Sequence, residues 1–147
     1  MDDPTRLDPI IQLAEQKKQD AGRDLVGARN QQGIEQQQME QLQEFYSEYS
    51  RRFEEAASIG MNARQLSDYR TFLQNLESAI KQKDLQLREA DSNVEARRHE
   101  WVDKHQRSKN LENFSDQLSR QILLNKSRRE QKEADDRPAS KNPYPSK

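Results

Sequence analysis

The sequence predicts an all-α protein: a long antiparallel two-helix coiled-coil hairpin whose C-terminal helix overhangs the first. Three observations lead there. Apolar residues make up only 31% of 147 positions and charged residues 35%, too few inward-facing side chains for a compact core. The 25 basic residues nearly cancel the 26 acidic ones, whereas disorder pairs low hydrophobicity with a large net charge. Apolar residues also recur at alternating steps of three and four in two stretches separated by one short break. A narrow seam between two long helices satisfies all three.

Asp8-Pro9 opens the first helix, because Asp can cap and Pro fits the first turn. Its stripe runs Leu7, Ile11, Ala14, Lys18, Ala21, Leu25, Ala28, Gln32, Glu35, Met39, Leu42, Tyr46, Tyr49, Phe53 and Ala56. Lys18, Gln32 and Glu35 interrupt it, and Gly22, Gly27 and Gly33 weaken the helix. The polar positions either fix register or leave a loosely packed, partly wet middle section.

The break follows. Gly60 suits a left-handed helix end, and Asn62 with Gln65 has the spacing of a capping box. Met61 is placed to staple onto Leu66. The second stripe runs Leu66, Tyr69, Leu73, Leu76, Ile80, Lys83, Leu87, Ala90, Val94, Arg97 and Trp101, then less cleanly Lys104, Ser108, Leu111, Ser115, Leu118 and Ile122. Paired positions then total about 122, which sets Tyr49 near Leu73, Leu42 near Ile80 and Trp101 beside Ala21. The expected arrangement is one hairpin domain over 1–137, with helices at about 9–58 and 63–136, a turn at 59–62 and a flexible tail at 138–147. The helices would be ~75 Å and ~110 Å long. Position 9 falls opposite 113, so the helix from Phe114 onward is expected to lack an intramolecular partner. It carries Phe114, Leu118, Ile122, Leu123 and Leu124, an apolar stripe available for binding.

Charge divides along the chain: residues 1–50 hold ten acids and five bases, residues 97–132 ten bases and five acids. Folding one onto the other brings opposite fields together. The cations of the basic stretch are interleaved with acids, so a solvated face is expected and not a nucleic-acid interface. The absence of Cys excludes disulfides and thiolate metal sites. No apolar run reaches the ~20 residues of a membrane span. The acidic start Met-Asp-Asp-Pro does not resemble a signal peptide, and a cytoplasmic protein is expected. His99 and His105 lie on different helical faces without a third ligand, and acid pairs such as Glu54-Glu55 have no pocket to work in. Neither an enzyme nor a cofactor nor a metal is expected; the destination is protein binding.

Aromatics carry the sharper signal. Gln38, Leu42, Phe45 and Tyr49 form a row that leaves the seam at Phe45. Phe72, Leu76, Ala79 and Lys83 repeat the 4-3-4 spacing on the second helix. The register lays the two rows side by side near the turn. They either widen the core stripe or form an exposed patch, for which Tyr and Phe are suitable anchors.

These residues carry a resemblance. The segment Gln38-x-x-x-Leu42-x-x-Phe45-x-x-Glu48-Tyr49, the short turn, and Tyr69-x-x-Phe72-x-x-x-Leu76-x-x-Ala79-Ile80, with Trp101 beyond, resembles the FliJ family of the bacterial flagellar type III export apparatus over nearly the whole chain. The resemblance implies a stalk similar to the two-helix γ-subunit of rotary ATPases. That stalk would insert into the hexameric ring of the export ATPase FliI, contact the cytoplasmic part of the export-gate membrane protein FlhA, and handle substrate chaperones. It implies gate binding by Gln38, Leu42, Phe45, Tyr49, Phe72, Leu76, Ala79 and Lys83. Phe45 departs from the Tyr common in the family, and Lys83 from a His. The overhanging Phe114, Leu118, Ile122 and Leu124 would then serve the ATPase ring. Rival readings are the stalk of a virulence secretion system, a holdase-like chaperone, and a self-associating coiled coil.

Overall fold

The computed structural model of the chain describes residues 4–136. A 3-10 turn, Pro4–Leu7, leads into helix α1, Asp8–Ile59, and helix α2 follows as Ala63–Asp136. No strand occurs among the described residues. The tail expected at 138–147 lies outside them. α1 and α2 pack together as a helical hairpin, as the two stripes predict. Contacts gather into two compact units: residues up to Lys18 with those from Lys104 onward, and Gln19–Asp103.

The chain reverses between Ile59 and Ala63. Gly60 has a φ of 114°, which side chains rarely tolerate, and its N–H donates to the Ala56 carbonyl at 3.1 Å to close α1. Asn62 Oδ1 accepts from the Gln65 N–H at 2.8 Å, and Gln65 Oε1 accepts from the Asn62 N–H at 3.4 Å. That reciprocal pair is the capping box read from the sequence.

All fifteen positions of the first stripe, from Leu7 to Ala56, are buried or half-buried, and so is every stripe position of α2 from Leu66 to Leu118. Within Gln19–Asp103, Ala21, Leu25, Ala28 and Met39 form the fully buried side of the seam. Rings meet across it nearer the turn: Phe53 edge-on to Tyr69 at 5.8 Å and Tyr49 tilted against Phe72 at 4.5 Å between centroids. The Tyr46 hydroxyl donates to Glu77 at 2.8 Å, and the Gln32 amide to Asp91 at 2.7 Å. These pairs hold the expected register to within one position. Glu77 beside the Tyr46 hydroxyl pushes its pKa above the usual tyrosine value.

Trp101 meets α1 within one position of that register. It lies against Gly22, where an added Cβ would stand 3.3 Å from the indole Nε1. Gly22 is thus a seat for the ring and not merely a weak point of α1. The polar stripe positions are also paired. Lys83 Nζ bonds Glu35 Oε2 at 2.8 Å and Gln38 Oε1 at 2.7 Å. In the other unit Lys18 pairs with Glu15 at 2.9 Å, and the Ser108 hydroxyl, only 2% exposed, donates to Glu15 at 3.1 Å. A hydroxyl buried so completely would cost stability without such an acceptor.

The start of the overhang needs correction. Leu111, Ser115, Leu118 and Ser119 are still half-buried, and exposure becomes continuous only from residue 120. The turn Pro4–Leu7 keeps the chain helical ahead of α1, and Leu7 is half-buried in the same unit. Cover thus extends beyond the position opposite residue 9.

Candidate partner-binding surfaces

A helix exposes its flanks whenever only one partner covers it, so residues beside a two-helix seam cannot be enclosed on both sides. Phe45 and Phe72 occupy such flanks and are 51% and 40% exposed. Leu42, Tyr49, Leu76, Ala79 and Lys83 are half-buried, and Gln38 is exposed. The two rows are tied together at both ends: Tyr49 against Phe72 near the turn, Lys83 to Gln38 away from it. The structure therefore brings all eight predicted residues onto one stretch of the Gln19–Asp103 unit, with Gln38 and the two phenylalanines exposed.

Two members have polar or charged partners that the sequence did not show. Lys83 is not a free charge, since its ammonium is held by Glu35 and Gln38, and the Lys83 and Glu35 side chains are 16% and 14% exposed. Glu35 also accepts from Gln31 at 3.0 Å. The hydrogen bond from Lys83, helped by that from Gln31, holds the Glu35 carboxyl below its ordinary pKa. Tyr49 has Phe72 near one part of its ring, while the Arg52 guanidinium sits 5.3 Å from the ring centroid. Arg52 is in turn oriented by Glu48 at 2.7 Å. Sequence reasoning missed Arg52, although the three-residue step from Tyr49 and the four-residue step from Glu48 were the available signals.

The second surface belongs to the other unit. Phe114, Ile122, Leu123 and Leu124 are 51%, 40%, 65% and 57% exposed, while Leu118 is half-buried. Between residues 120 and 132 the chain has five cations, Arg120, Lys126, Arg128, Arg129 and Lys132, against one carboxylate, Glu130. An apolar stripe in a cationic surround can take a partner with apolar anchors and an acidic rim. No group of three or more His, Cys, Asp or Glu residues able to hold a metal occurs among the described residues. No helix there is long and apolar enough to cross a membrane.

Fold and surfaces together define a two-helix coiled-coil protein with aromatic and aliphatic side chains left outside its own seam. The family described as "Flagellar FliJ protein" matches residues 3–141, and the chain belongs to that family of flagellar export components. It is 29% identical to the flagellar FliJ protein of Escherichia coli (strain K12) over 130 residues, covering 88% of each chain. The same identity and coverage relate it to the flagellar FliJ protein of Salmonella typhi.

Proposed function

We propose that the chain is the central stalk of the export ATPase ring, links that ring to the export gate, and assists in handling substrate chaperones. It would act as one hairpin over residues 1–137, in the cytoplasm at the inner face of the membrane, without inserting into it. The carrying observation is the exposure of Phe45 and Phe72, large aromatics on the flanks of the seam. In this reading they are the anchors for the cytoplasmic part of a FlhA-like gate protein. Leu42, Tyr49, Leu76 and Ala79 form the floor beneath them, and Gln38 with Lys83 fixes the far edge. Phe114, Ile122 and Leu124 face the FliI-like ATPase ring, with Leu118 rooting that stretch in the hairpin.

The test is affinity of purified Phe45→Ala and Phe72→Ala variants for the isolated cytoplasmic part of the gate. Truncating a buried interface aromatic costs about 2 kcal/mol or more, roughly 30-fold in Kd. Both variants should show losses of that order with helicity unchanged by circular dichroism. Unchanged affinity in both would assign the patch to the hairpin alone and overturn this reading.

A further inference from the structure

Beside Trp101, within Gln19–Asp103, α1 and α2 leave an open groove that the surfaces above do not use. Val26 and Val102 stand at its walls, 56% and 48% exposed, and half-buried Trp101 lies between them against Gly22. Its lining carries three guanidinium groups, Arg23, Arg29 and Arg98, and no carboxylate. We propose that this groove docks an amphipathic helix of a protein partner, with apolar residues on Trp101 and acidic residues toward the arginines.

The form of the occupant follows from the spacing. Gly22, Val26 and Arg29 recur at steps of four and three on α1, and across from them Trp101 and Val102 stand three and four residues from Arg98 on α2. Two parallel ridges with a trough between them accept a third helix, side chains into groove. The small Gly22 side opens the trough by letting the indole lie close to α1. The sign of the partner follows from the charges. Arg23 is paired with Asp20, and Arg98 with Glu95 at 3.3 Å, so both are partly neutralised yet held at the rim. Arg29 forms no ion pair among the described residues. An acidic flank would match it and gain in rate and orientation. Asp20 and Glu95 beside the groove, and a net charge of −1, disfavour a polyphosphate strand. Two valines and one indole are too small an apolar face for insertion among lipids. The proposal involves none of the residues assigned to the gate or the ring, so it stands or falls separately from those roles.

Trp101 is the only tryptophan of the chain, so its emission reports on the groove directly. The full-length protein would be titrated with a synthetic 20-residue helical peptide carrying Leu along one face and Glu on both flanks. Controls are the same peptide with Lys flanks, a scrambled peptide, anionic phospholipid vesicles and a DNA duplex. The proposal expects a saturable shift in Trp101 emission with the Glu-flanked peptide, and binding of the Lys-flanked one weaker by about tenfold or more. Reversing Arg29 and Arg98 together to Glu should reverse that preference while leaving circular dichroism unchanged; the Gln pair, if reversal disturbs the fold, should abolish it. Three outcomes overturn the proposal: emission indifferent to the Glu-flanked peptide, equal binding to wild type and charge-reversed protein, or a shift produced by vesicles or duplex instead. A shift that grows with protein concentration without peptide would assign the groove to a second copy of the chain and overturn it as well.

Discussion

At Gly27 and Gly33 an added Cβ would meet nothing within 4 Å, whereas at Gly22 it would press on Trp101. Glycine inside a helix costs roughly 0.5–1 kcal/mol relative to alanine. Gly27→Ala and Gly33→Ala should therefore each raise stability by up to about 1 kcal/mol. Gly22→Ala should gain less or lose, because the ring must shift, and it alone should change Trp101 emission. Chemical denaturation followed by fluorescence checks both statements; a gain at Gly22 equal to the other two would deny the ring its seat. The Glu35–Lys83 pair makes a prediction about pH. The folded Glu35 carboxyl titrates below its unfolded value, so the pair's contribution is complete above the ordinary carboxylate pKa and is lost as pH falls through the depressed one. Lys83→Met should lower Tm at neutral pH and flatten the dependence of Tm on pH in the acid range. Lys81→Met, on an exposed neighbour, should do neither.

At the scale of the elements, two features of the turn decide where α1 stops and α2 starts. A φ of 114° at Gly60 is strained for any side chain although nothing crowds its Cβ position, so Gly60→Ala should cost about 1–2 kcal/mol through backbone conformation alone. Asn62→Ala removes the acceptor for the Gln65 N–H and should cost about 1 kcal/mol. If denaturant midpoints move in neither variant, the reversal is set by packing of the helices and not by the caps. Both features were legible because caps and glycine turns are local chemistry. So was the seam, since alternating three- and four-residue steps name the face that is covered. Periodicity does not say which residue across the seam receives a given side chain. Trp101, expected beside Ala21, also lies against the adjacent Gly22, whose missing Cβ leaves room for the ring. Nor does it show that Glu35, Lys83 and Gln38 satisfy one another, which depends on long side chains reaching across. The patch was half legible: departure from the stripe marked Phe45 and Phe72 as outward, but the Arg52 contact depends on a side-chain placement that spacing does not set.

For the whole molecule, the decisive question is whether two separate surfaces do two separate jobs. The gate residues proposed here all belong to Gln19–Asp103, while the ring residues belong to the unit that holds the end of α2. Deleting α2 from residue 120 onward removes side chains that are exposed throughout, so the seam should keep its stability. Leu118 should be left in place, because it is half-buried and its loss would confuse unfolding with lost binding. The matching point variant is Ile122→Asp with Leu124→Asp, which places charge where an apolar contact would have to bury it, at a large cost. Both proteins should fail to stimulate ATP hydrolysis by the purified export ATPase, yet bind the gate fragment with affinity near wild type. Phe45→Ala with Phe72→Ala should show the opposite pattern. Loss of both activities in every variant, with helicity intact, would mean that one surface serves both partners. Full stimulation by the truncated chain would remove the ring contact from the end of α2, and the acidic first helix would be the next place to look, since residues 1–50 carry ten acids against five bases.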